Sequence, residues 1–450
     1  MKKKLVVVLL FSIFINRFSL AFSKKQYIQD FKYLEKKIKE NQMNLYDYTT
    51  EKKIQILENI YFSNLKYVKN VREFYSQLAY YVSSFGMNHT FLVPSRKINS
   101  DYMKCQLLFP LKIVIEKNAC FVKYHGELYN LLNINRIPIN TILGRLIALN
   151  FGRNILRKNA QIEARFSYFY YLSFGPTKYY VLTLMSNQNK LIKIRLKGKA
   201  NKPNKQKKQQ YFFKVLEKNI GYIKLQSFSF KFKPFKKFLD SKMVDLKKIK
   251  NLIIDLRNNT GGNFPLIGNF LIQTIYSGSY KEGSQCKIRL SPDVYNHILK
   301  FHIQYGLAKS KVYKLKKKIN SIIILKEKKE KKFRTKAIFK GKIYILINRR
   351  TYSAAIIFAT IFKDYHIGKI IGEEGGENPT SLMDNIRFVL PNTKIQLAVS
   401  YLLAIRPNGK NTHHGLLPDY YSNRLGENAL KIALDIINKG SLSPLRQNPY

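Results

Sequence analysis

At 450 residues the chain can bury a substantial core and hold about two or three domains. Lys and Arg number 80 against 27 Asp and Glu, a formal charge of +53, which by itself suggests nucleic acid or an anionic surface as partner. Lysine is nevertheless spread along the whole chain among abundant Ile, Asn, Tyr and Phe, and Trp is absent. That is the composition an A+T-rich coding sequence gives. With no aromatic-interleaved basic motif, a specific nucleic-acid partner is set aside, and diffuse attraction to an anionic membrane surface is kept. Cys105, Cys120 and Cys286 have no metal-ligand spacing, and their odd number makes no disulfide framework.

In chain order, residues 1–22 read as an export signal. Lys2–Lys4 is basic, Leu5–Ile15 is an apolar core too short to span a bilayer comfortably, and Ser19-Leu-Ala21 is a small-x-small cleavage site. Arg17 close to that site leaves an uncleaved anchor as the alternative. Residues 23–100 read as a helical domain, with apolar stripes at Ile28, Phe31, Leu34 and Ile38 and at Phe74, Leu78, Tyr81 and Phe85. Gly86 suits a helix end, so Met87–Phe91 leaves as a loop into a strand, Phe91–Val93. Residues 101–200 are strand-like, with strands expected at Leu107–Ile115, Ala119–Tyr124 and Tyr179–Leu184 and a helix at Thr141–Leu149. Lys199–Gln210 is a polar, Lys-rich linker. Strands and helices then alternate over 211–440, interrupted by a basic surface excursion, 309–334, whose one apolar break is Ile322–Leu325.

Two stretches of that last region carry most of the functional information. In Asn251–Gly262 an apolar strand, Leu252–Leu256, meets the pair Gly261-Gly262 before an apolar segment, Phe264–Tyr276. In Lys342–Ala355 the strand Ile343–Ile347 meets a polar turn and then Ser353 at the start of an apolar helix, Ala354–Phe362. Such strand ends are where α/β folds bind ligands and do chemistry. Asp255-Leu-Arg-Asn-Asn-Thr-Gly-Gly262, Thr351-Tyr-Ser-Ala-Ala355 and Ile371-Gly-Glu373, in this order, resemble the tail-specific (C-terminal processing) serine peptidases. The resemblance extends to Asn219–Phe228, Asn378–Ser381, Leu390–Asn392 and Gly415–Asp419, and upstream to Asn88-His-Thr90. It is nearer to the tricorn-core and interphotoreceptor retinoid-binding branch than to the Ser-Lys dyad branch, because Gly372–Pro379 holds no lysine.

The resemblance implies an α/β fold: a ClpP/crotonase-like ββα catalytic core with an amino-terminal helical domain and a small β-rich, degenerate PDZ-like segment. In that segment Leu131–Asn140 carries Arg136 where the family has a glycine. It further implies Ser353 as nucleophile, His89 as general base, and oxyanion donors from Gly261, Gly262 and the Ala354 N–H. Read from its turn alone, Ser353 is equally a helix N-cap. The family's usual acid position holds Thr412, which cannot stabilise an imidazolium as a carboxylate does. Glu373, Glu374, Glu377 and Asp384 are the carboxylates that could substitute in space, while His413 and His414 read as solvated loop residues. If none substitutes, His89 lacks a carboxylate and Thr412→Glu should raise turnover.

The expected function is that of an exported serine endopeptidase of the periplasm or cell envelope. Its partner is a protein or peptide substrate, with no metal or organic cofactor implied and the oligomeric state left open. The alternative is a relative that has lost turnover and binds peptide or lipid.

Overall fold

The computed structural model describes residues 22–116, 119–201, 209–217, 219–302, 307–326, 339–422 and 428–439. The expected leader, apart from Phe22, lies outside these residues, as does most of the Lys199–Gln210 linker. Among the described residues no helix is long and apolar enough to cross a membrane. The fold is mixed α/β, with a helical amino-terminal region and several β-sheets.

The amino-terminal helices begin where the sequence supplies caps. Ser23 accepts from the Gln26 amide, whose side chain reciprocates, and the helix Lys24–Asn41 follows. Asn70 caps Val71–Ser84, which ends just before Gly86 at φ +69°. Asp30, on the buried side of the first helix, is fully buried. Its carboxylate accepts from the amides of Asn392 and Thr393 and from the Thr393 hydroxyl, at 2.9, 2.8 and 2.6 Å. Those residues form the tip of the hairpin Ile386–Val389/Gln396–Val399, whose second strand pairs antiparallel with Phe91–Val93. The helical region is thus stitched to residues 362 and 363 positions away by a buried, fully bonded carboxylate.

The β-rich segment is an antiparallel sheet in the order Ile113–Glu116, Ala119–Tyr124, Glu127–Ile134, Tyr179–Met185, Leu191–Lys197. Arg136 occupies a turn at φ +66°, a conformation glycine adopts more readily. Two helices absent from the sequence reading, Ile155–Ala164 and Phe166–Phe174, are inserted here. The second is mostly aromatic, so composition resembles a strand; burial of six of its residues against the helical region selects helix instead. One apolar cluster runs continuously from the amino-terminal helices through this segment to strands near residues 288 and 397.

The carboxyl-terminal region is built on a six-stranded sheet ordered Tyr420–Tyr421, Gly368–Gly372, Lys342–Ile347, Asn251–Asp255, Ile220–Leu225, Tyr211–Glu217, parallel except for the last. Its central strands are apolar without alternation because helices cover both faces, Asn269–Ile275 and Ala354–Asp364 on one and Ala429–Lys439 on the other. The basic stretch 309–334 is not simply a surface excursion. Lys309–Leu315 is helical, and Ser321–Lys326 is an edge strand paired with Gln285–Leu290 in a second, four-stranded sheet. Residues 327–334 lie outside the described set.

Lys158, in the helix Ile155–Ala164, is 8 % exposed and finds no acceptor among the described residues. Burial, reinforced by the neighbouring Arg157 charge, pushes its pKa down to about 8 from 10.5. Folding carries the cost of a buried ammonium below pH 8. Between about pH 8 and 10.5 the folded chain has released a proton that the unfolded chain keeps, so stability rises with pH there. Lys158→Met should therefore raise the unfolding free energy at pH 7 by about 2–3 kcal/mol and flatten that rise. Urea unfolding across this pH range checks it; a neutral or destabilising substitution would mean that the ammonium reaches water.

Candidate active site

Two loops at the carboxyl ends of neighbouring parallel strands are bonded face to face. Asn258 N–H donates to Asn348 Oδ1, and Asn348 Nδ2 donates back to Asn258 Oδ1 (3.0 and 3.1 Å). Thr351 Oγ1 donates to the Leu256 carbonyl and the Tyr352 amide to the Asn259 carbonyl, both at 3.0 Å. The polar residues of the two turns therefore fix Ser353 against Gly261. A Cβ on Gly261, at φ +94°, would lie 2.7 Å from Ser353 Cβ and 2.9 Å from Ala354 N, so no other residue permits this approach. Gly262, at φ +141°, is closed in by the Phe228 backbone in the same way.

Ser353 precedes the helix Ala354–Asp364 but does not cap it. Its φ and ψ are +55° and −127°, far from the extended geometry of an N-cap, and its hydroxyl makes no cap hydrogen bond. A non-glycine residue there stores strain of about 1–3 kcal/mol, which surrounding contacts must hold in place. Among the described residues the Gly262 and Ala354 amides donate to no acceptor, whereas the Gly261 amide donates to Asn259 Oδ1 at 2.9 Å. The expected glycine contribution to an oxyanion site thus narrows to Gly262, with Gly261 giving the space. These groups line a cleft of about 750 Å³ together with His89.

His89 is 9 % exposed, in a left-handed turn at φ +59°. Each neighbour anchors it. Asn88 Nδ2 donates to Ser381 Oγ at 2.9 Å, and Thr90 Oγ1 accepts from the Ser400 amide at 3.0 Å while donating to Gln42. The imidazole stacks on Tyr352, centroids 5.1 Å apart.

The carboxylate beside His89 is that of Glu377. Its side chain is fully buried, and Oε1 lies 3.2 Å from His89 Nε2, within ion-pair reach although off the line of a hydrogen bond. Oε2 accepts from the Ser353 amide at 2.7 Å, and Oε1 accepts from Ser381 Oγ at 3.1 Å. Burial, then the Glu377 charge, pushes the Tyr352 phenol well above its ordinary value, which keeps it neutral. The other three carboxylates are engaged elsewhere. Glu373 accepts from Arg349 N and Nε, Glu374 from the Gly415 amide at 2.6 Å, and Asp384 from the Tyr401 hydroxyl at 2.7 Å. Thr412 meets the site through its backbone: Asn378, adjacent to Glu377, donates to its carbonyl at 2.7 Å. His413 and His414 are exposed. The imidazole that lacks its carboxylate at position 412 therefore faces one from position 377.

Residues 219–422 match the model of peptidase family S41. Over these residues the chain is similar to the serine peptidases of that family, which are serine-type hydrolases. No curated protein matches the chain significantly. In fold it is similar to mature CPAF (TM-score 0.61, 13 % identity, covering 88 % of this chain and 92 % of that one). It is also similar to a putative peptidase from Parabacteroides merdae (TM-score 0.50, 16 % identity, 93 % and 99 % covered).

Proposed function

We propose that the protein is an exported serine endopeptidase that hydrolyses unfolded or carboxyl-terminal segments of envelope proteins through an acyl-enzyme. Ser353 attacks the scissile carbonyl and His89 takes its proton, later returning it to the leaving amine. Gly262 and Ala354 N–H groups receive the oxyanion, and Glu377 holds the imidazole and balances its charge. The observation that carries this reading is the conformation of Ser353. A strained positive φ on a residue whose hydroxyl caps nothing, set in a cleft beside two free amides, matches a nucleophile presented on a sharp strand-to-helix turn. The leader-like residues 1–22 support export.

One observation favours the binder that has lost turnover: Ser353 Oγ makes no hydrogen bond among the described residues, so His89 shares its cleft without being bonded to it. A fluorophosphonate probe separates the two. Stoichiometric labelling at Ser353 is expected; folded protein that stays unlabelled is the binder.

A further inference from the structure

The helix that follows Ser353 also forms one wall of the cleft. Ser353, Ile357 and Thr360 all line it, and their spacing of four and then three residues sets them in one row along the helix Ala354–Asp364. Thr360 is 2 % exposed, and its hydroxyl has no hydrogen-bond partner among the described residues. A helical threonine ordinarily bonds back to the carbonyl one turn earlier. Thr274, in the helix Asn269–Ile275, does so, donating to the Phe270 carbonyl at 2.8 Å. Leaving a buried hydroxyl unpaired is costly, and Thr360 does so on the wall of a cleft.

The surroundings define what suits that hydroxyl. Phe264, Ile357, Leu402 and Ile405 give the cleft apolar walls. Asp364, one turn beyond Thr360, is occupied by the Arg406 guanidinium, Nε to Oδ2 at 3.0 Å, so the charges at this end of the helix cancel and call for no counter-ion. Thr360 lies seven residues beyond Ser353, about 10 Å further along the helix axis. A chain held for attack at Ser353 reaches it only with a long side chain, and apolar walls require an uncharged one. Glutamine brings two N–H donors and a carbonyl, more than one hydroxyl satisfies. A phenol matches it one for one, each hydroxyl being both donor and acceptor, and its ring suits the walls. Threonine in a helix has two χ1 rotamers open to it, so the hydroxyl can turn to meet a ligand while the backbone stays in place. We propose that Thr360 is a specificity-determining residue of the pocket that receives the side chain on the amino side of the scissile bond, and that it selects tyrosine over phenylalanine. This preference rests on the peptidase reading of the same cleft.

The test uses peptidyl diphenyl phosphonates identical except for Tyr, Phe or Gln in the residue that bears phosphorus. On reaction Ser353 Oγ bonds to phosphorus, one phenoxide leaves, and the serine proton passes by way of His89 to that phenoxide, giving phenol. Rates are read by intact-protein mass spectrometry, beside an alkyl fluorophosphonate that carries no such side chain. The wild type should react about tenfold faster with the Tyr reagent than with the Phe reagent, and slower with Gln than with Tyr. Thr360→Val, of the same shape without the hydroxyl, should bring the Tyr/Phe ratio to about two or less. Thr360→Ala gives the same reading should that variant misfold, and Thr360→Ser, which restores a hydroxyl, should hold the ratio above about five. Equal rates for Tyr and Phe, a preference for Gln, or a Tyr preference that survives loss of the hydroxyl overturns the assignment. Protein that the fluorophosphonate labels but that shows no Tyr preference loses the specificity and keeps the peptidase. Protein that neither reagent labels loses the peptidase reading, and the specificity with it.

Discussion

Ser353→Ala should reduce kcat/KM by on the order of 10⁴-fold or more, to the level that binding and an oxyanion site alone sustain. The fold should not notice. Because the hydroxyl makes no cap bond, its removal costs none of the roughly 0.5–2 kcal/mol that an N-cap substitution does, and alanine meets the same positive φ that serine already tolerates. The melting temperature should stay within about 2 °C of wild type. Ser353→Gly, equally inert, should melt higher because glycine adopts φ +55° without strain. Turnover retained by a clean Ser353→Ala preparation would remove the nucleophile assignment. A marked loss of stability would restore the cap.

Glu377→Gln is the second large effect, with kcat/KM expected to fall by about 10²–10⁴-fold. The amide keeps an acceptor for the Ser353 N–H but brings no negative charge to His89, so the loss should lie in kcat, with KM within about threefold. Fluorophosphonate labelling should slow in parallel, since it needs the same activated hydroxyl. Glu373→Gln is the comparison: that carboxylate is occupied by Arg349, and its loss should cost less than about tenfold. Thr412→Glu, attractive when position 412 looks like a vacant acid site, now adds a like charge near Glu377 and should be neutral or harmful. If Thr412→Glu accelerates turnover while Glu377→Gln changes little, the acid lies at 412 after all.

The parts of the fold legible in the sequence are those whose environment is uniform. Strands buried on both faces, such as Leu252–Leu256 and Ile343–Ile347, read as apolar runs, and the capped amino-terminal helices read from their stripes. Phe166–Phe174 does not: an aromatic run has no helical period when every side is buried, and only its neighbours decide its state. Ile322–Leu325 was readable as an apolar break but not as an edge strand, because its partner, Gln285–Leu290, is a separate segment. The site divides in the same way. Ser353 and the glycine pair announce themselves through the turns they occupy, whereas Glu377 acquires its place from a contact with a residue nearly three hundred positions earlier.

The carboxylate of Asp30 has one more implication, and it concerns timing. The helix that bears it precedes the loops of Gly261 and Ser353 in the chain, yet its grip is on Asn392 and Thr393, which follow them. Until that hairpin exists, Phe91–Val93 has no strand to pair with and the turn bearing His89 has no fixed address. On the proposed reading, a chain that stops short of Asn392 would carry the nucleophile without a placed base, and should label with fluorophosphonate no faster than Ser353→Ala.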